Sequence, residues 1–240
     1  IGQPYSAGRD GSRCYAMSME GFGLYLAFLI PPLILGFVIQ GWLRKTVARQ
    51  SQVAIMSGLT GAQVARQILD RNGLHEVPVE RAPGGPLSDH YDPRKRSVHL
   101  SEPVHDGTSV SATAIGAHEV GHAIQHAVGY SAFRARSAMF PVVSIASQAW
   151  IFLLMGGALM GALGLVQLAI VLFAVVVLFQ LVTLPVEFDA SRRALVQVRE
   201  LGLVTEGERQ GAKKVLTAAA MTYVAAALAA LTQLLYFAMM

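Results

Sequence analysis

Residues 137–186 are fifty consecutive positions without Asp, Glu, Lys, Arg or His. A single helix of that length would reach about 75 Å, against a bilayer hydrocarbon core of about 30 Å. Two antiparallel membrane helices solve the mismatch, and the glycine-rich stretch 156–164 is the natural place for the reversal. Two further uncharged runs, 21–43 and 215–240, are each long enough for one crossing. Only 14% of the chain is charged, against about a quarter in soluble domains. The reading is an α-helical membrane protein with about four transmembrane helices plus a small cytoplasmic α+β domain.

The cations supply an independent check. Seventeen of the 19 Lys and Arg lie in 44–136 or 192–214; Arg9 and Arg13 are the exceptions. Positive charge flanking membrane helices stays in the cytoplasm, so both polar segments belong on that side, and a two-helix excursion between them has the right parity. The expected layout follows. Residues 1–18 are read as a non-native or disordered extension, 19–43 as the first membrane helix and 44–136 as the cytoplasmic domain. Residues 137–184 form the membrane hairpin, 185–214 cytoplasmic helices and 215–240 the last membrane helix. The same clustering argues that the basic pI, near 9.4, reflects topology and lipid contact rather than nucleic-acid binding. Cys14 is the sole cysteine, so neither an intramolecular disulfide nor a cysteine-based metal site can form.

Within the polar domain, Thr60 is a fit N-cap for a helix over 61–71, which Asn72-Gly73 would end. Short strands are expected at 77–81, 87–91 and 97–101, the last two joined by the turn Asp92-Pro93-Arg94-Lys95. Ser109 or Ser111 caps a helix over 110–127. Pro31-Pro32 falls inside the first apolar run, and Pro185 is expected to start a new helix.

The 110–127 helix carries His118-Glu119-Val120-Gly121-His122, an HExxH motif. Positions four apart share a helix face, so both imidazoles can point at one Zn²⁺, with Glu119 beside them as a general base for water. Gly121, between the histidines, leaves room for another backbone to approach closely. A catalytic zinc needs a third protein ligand. His126 extends the same face but lies about 6 Å farther along, which suits a partner to the ligands better than a ligand. His90 is another possibility. Glu187 is the stronger one, since the expected parity returns it to the side of His118. An ordinary acidic residue in a first helical turn is its plain alternative. For the oxyanion of peptide hydrolysis, His90, Tyr91 and Tyr130 are the available donors. The strand over 97–101 could pair along its edge with an extended substrate.

Three stretches carry a family resemblance: Asp89-His90-Tyr91-Asp92-Pro93, the HExxH motif through His126, and Leu178 through Ala194, which includes Leu184-Pro185-Val186-Glu187-Phe188-Asp189-Ala190-Ser191. By these the chain closely resembles the YugP-like neutral zinc metallopeptidases of bacterial membranes. More distantly it is similar to the HtpX-like and CAAX-prenyl endopeptidase group. The resemblance covers nearly everything after Met19. It implies a zincin-like domain at 44–136, one catalytic Zn²⁺ held by His118, His122 and Glu187, and Glu119 as the base. It also implies a bacterial inner-membrane location with the site facing the cytoplasm, and protein or peptide substrates near the membrane. In the endopeptidase group an Asp stands where this chain has Ser191. A neutral hydrogen bond from Ser191 is therefore expected in place of a charged partner. Two other readings stand beside it: a zinc-stabilised membrane adaptor without activity, which fits the same ligands, and a site-2-type intramembrane protease, which would carry its HExxH inside a membrane helix and an Asp ligand in a later one.

Overall fold

A computed structural model describes residues 19–239, with side chains from Gly23 onward. The expectation for residues 1–18 lies outside the described residues. Among the described residues, four helices are long and apolar enough to cross a membrane. These are α1 (Met19–Gln50), α5 (Ser131–Met160), α6 (Leu163–Glu200) and α7 (Glu206–Met239). Between α1 and α5 lie α2 (Gly61–Arg71), β1 (Val79–Arg81), β2 (His90–Asp92), β3 (Ser97–Leu100), α3 (Glu102–His105) and α4 (Val110–Ala127). Large apolar side chains stay exposed along the four long helices: Phe37 on α1, Phe152 and Leu159 on α5, and Val171 on α6. On a water-soluble protein such surface would be a liability. On a membrane protein it is the lipid-facing side.

The hairpin reverses where the glycine-rich stretch suggested. Gly161 closes α5 in a left-handed conformation, φ +64°, which glycine adopts without steric cost. Elsewhere the helices run longer than expected. Helix α1 continues past the apolar run to Gln50, α5 starts at Ser131, and α7 joins the polar 206–214 segment to the last apolar run without a break. The expected helix start at Pro185 is overturned: Pro185 lies inside the 38-residue α6. A proline costs a helix one backbone hydrogen bond, but packed neighbours and Ser/Thr side chains can offset the loss. The bond lost is the one to the Leu181 carbonyl, and packing against α4 holds the helix through it: Val186, Glu187 and Ala190 are buried, and Gln125 Nε2 of α4 donates to the Val186 carbonyl at 2.8 Å.

The polar domain forms much as its local signals indicate. Thr60 caps α2 through a reciprocal capping box: Thr60 Oγ1 accepts from Gln63 N–H, and Gln63 Oε1 accepts from Thr60 N–H. Ser109 Oγ accepts from Ala112 N–H at the start of α4. Asp92 Oδ1 accepts from the N–H groups of Arg94 and Lys95, fixing the turn between β2 and β3. The sheet order is β1-β3-β2, with β1 parallel and β2 antiparallel to β3. The central strand is therefore β3, buried throughout, and the expectation that it offers an edge to substrate is wrong; the edges are β1 and β2. Val64, Ile68 and Leu69 of α2, Val98 and Leu100 of β3, Val120 of α4, Val198 of α6 and Val215 of α7 share one core. That shared core fixes α4, the motif helix, against both α6 and α7.

Candidate metal centre

The position of the site depends on how closely α4 approaches α6. A Cβ on Gly121 would lie 2.6 Å from the Ala190 carbonyl oxygen, so only glycine lets the two backbones meet here. The close approach sets His118 and His122, one turn apart on α4, opposite Glu187 on α6. Their ligand atoms all fall within 4.8 Å of one another. His118 Nε2 is 3.2 Å and His122 Nε2 is 3.6 Å from Glu187 Oε2. Gly121→Ala is expected to force the helices apart, costing about 1–3 kcal/mol of stability as overpacked sites do and loosening zinc retention. Gly41→Ala, where a Cβ meets nothing within 4 Å, should do neither. Thermal unfolding and zinc content of the two variants provide the check.

Buried partners orient each member of the cluster. Gln125, wholly buried, donates through Nε2 to the Val186 carbonyl and to Asp189 Oδ2. Its Oε1 must then be the atom 3.0 Å from His122 Nδ1, so His122 carries its proton on Nδ1 and a lone pair on Nε2. That lone pair faces a carboxylate oxygen, a repulsive arrangement that a cation between them would reverse. The donor set, two imidazoles and a carboxylate, suits Zn²⁺, so the residues fit the metal. Ser191 Oγ lies 3.2 Å from His118 Nδ1, the neutral contact anticipated for it. Glu187 Oε1, buried without a hydrogen bond of good geometry, is 3.2 Å from Arg136 Nη1 on α5. Asp189 completes the frame, accepting from Gln125, Arg192 and Arg193.

Sequence reasoning missed Gln125, Asp189 and Arg136. A usable signal existed for Gln125, which lies three residues after His122 on the same helix face. Gln125→Leu should lower zinc affinity about 10–100-fold, the usual cost of removing a residue that orients a ligand, and zinc competition against a chromogenic chelator would measure it.

Glu119 is buried between the two histidines on α4. Burial pushes its carboxyl up to about 7. The neighbouring Glu187 and Asp89 carboxylates add to the shift, while His118 and a hydrogen bond from the Tyr91 backbone N–H oppose it. Tyr91 is thus at the site through its main chain. Its hydroxyl is 2.9 Å from His126 Nδ1, and burial raises that phenol to about 12 while lowering the His126 pKa. His126 therefore pairs with Tyr91 and packs on Phe133, outside the cluster of three. His90 projects from the opposite face of β2, as alternate strand residues do. It stacks on His99 at 4.8 Å with rings 15° apart. Tyr130 lies under the Arg193 guanidinium, 5.9 Å from ring centroid to cation.

The family model described as "Putative neutral zinc metallopeptidase" matches residues 25–240. The chain belongs to this family. A relative from Bacillus subtilis (strain 168), "Putative membrane protease YugP", is 49% identical over 216 residues, covering 90% of this chain and 96% of the relative. No solved structure matches the chain significantly. Membership assigns the chain to the zinc metallopeptidases, and the cluster of His118, His122 and Glu187 is the place among the described residues where such a metal could be held.

Proposed function

We propose that this chain is a four-span membrane zinc endopeptidase that hydrolyses protein or peptide substrates at the cytoplasmic surface of the bacterial inner membrane. The observation that carries the reading is the convergence of His118, His122 and Glu187 within 4.8 Å, with Glu119 beside them on α4. These three residues would hold the zinc, which when bound polarises the scissile carbonyl and makes water nucleophilic. Glu119 accepts the proton from the attacking water and returns it to the leaving amine. Gln125 holds His122 in the tautomer that leaves Nε2 free, and Ser191 Oγ, 3.2 Å from His118 Nδ1, can accept from that nitrogen and so leave its Nε2 free as well. Of the three oxyanion donors considered, Tyr91 stays nearest the site, with its main chain at Glu119 and its hydroxyl against His126, while His90 packs on His99 and Tyr130 beneath Arg193. An extended substrate would pair with the open edge of β2 rather than with β3.

The distribution of cations supports the cytoplasmic orientation. The motif helix α4 is not among the four helices fit to span a membrane, which weighs against the site-2 arrangement. Comparative proteomics of membrane fractions carrying wild type or Glu119→Gln is the direct test. Substrates should persist in the variant, with shortened fragments only in wild type. Identical fragment profiles would remove the peptidase reading and leave the adaptor.

A further inference from the structure

Helices α6 and α7 enclose a groove of about 380 Å³ that the proposed chemistry does not use. Four cations line it, Arg192 and Arg199 from α6 and Arg209 and Lys213 from α7, and among the described residues no carboxylate does. Arg192 is paired with Asp189 and Arg209 with Glu206. Arg199 and Lys213 are exposed and make no ion pair among the described residues. The rest of the lining is mainly apolar, with Phe188 and Val196 on α6 and Leu216 and Ala220 on α7.

The polarity of the groove runs along its length. The helices are antiparallel, so Phe188 and Ala220 lie at the end nearer the apolar runs, while Arg199 and Arg209 lie about 16 Å farther out, at 1.5 Å per residue. A greasy floor opening toward the bilayer and a cationic outer end match one molecule, a lipid with an acyl chain and an anionic head. We infer that this groove seats an anionic phospholipid, its phosphate between Arg199 and Lys213 and an acyl chain against Phe188 and Leu216. The inference rests on the membrane-spanning reading. Ser191 belongs to the same lining and touches His118, so the lipid would sit against the wall of the metal centre.

The test uses the full chain in a neutral detergent, with bound lipid counted by native mass spectrometry. Dioleoyl phosphatidylglycerol should be retained as a single tight adduct, and dioleoyl phosphatidylcholine should not. Each cation near a lipid surface contributes roughly fivefold to anionic-lipid affinity, so Arg199→Gln with Lys213→Gln should weaken retention about 30-fold. Val196→Glu, which puts a carboxylate in the groove with all four cations kept, should also weaken it. Lys214→Gln, at an exposed cation outside the groove, should leave it unchanged. Equal retention of the two lipids, or a double variant that binds like wild type, would overturn the inference. So would full displacement by an equal concentration of inorganic phosphate, which marks a simple anion site, or stronger competition by a glutamate-rich peptide, which marks a peptide groove. Alkaline extraction of native membranes tests the spanning reading separately, since a spanning chain stays in the pellet.

Discussion

Glu119→Gln should keep its zinc and its fold while peptide hydrolysis falls by about 10²–10⁴-fold, the usual contribution of a positioned acid–base group. Gln matches the carboxylate in shape, and its Oε1 can still accept from the Tyr91 N–H. The substitution also removes a carboxyl from a site where burial disfavours its charged form, so the melting temperature should not drop. The measurement is hydrolysis of a denatured protein substrate by purified wild type and variant, with zinc content and thermal melting taken on the same samples. Hydrolysis at the wild-type rate would show that Glu119 is not the base. Loss of zinc together with activity would make its role structural.

Glu187→Ala should abolish stoichiometric zinc retention after dialysis. Its effect on affinity should exceed the roughly 10–100-fold expected for an orienting residue such as Gln125, because it removes a donor atom itself. The buried Glu187 carboxylate faces two imidazoles and Arg136, so alanine also leaves that guanidinium without its partner. Glu187→Gln separates the two effects. It preserves volume while offering a weaker, neutral oxygen, and it should lose zinc with less damage to stability. Metal analysis of both variants decides the matter; wild-type zinc affinity in either would remove Glu187 from the ligand set.

Much of this arrangement was legible in local chemistry. Thr60, the pair Ser109 and Ser111, and the glycine-rich stretch 156–164 announced helix ends because a cap or a tight reversal needs particular residue types at a particular place. The His118–His122 spacing announced a shared face for the same reason. Gly121 was legible as a point of close approach, although what approached it was not. Pro185 misled because the rule that proline starts or breaks a helix assumes no packed neighbour to hold the helix through the lost bond, whereas α4 lies against the residues that follow it and Gln125 bonds the Val186 carbonyl. The site's supporting residues were hidden for a different reason. Gln125 carried a signal in its spacing from His122, but its bonds to Val186 and Asp189 appear only once α6 is placed, and Arg136 looks like an ordinary polar position until then. Strand order was likewise beyond reach, since nothing in residues 97–101 tells a central strand from an edge.

The division of the metal centre between α4 and α6 also governs when in the life of the molecule it can exist. Glu187 lies 65 residues after His122, and at a synthesis rate of about 5–20 residues per second the ribosome needs roughly 3–13 s to travel between them. Throughout that interval the nascent chain holds His118, Glu119 and His122 without Glu187. A polypeptide that stalls in the hairpin, or is clipped there, therefore carries no complete hydrolytic centre, and on the proposed mechanism activity begins only after the chain has gone out through the bilayer and back.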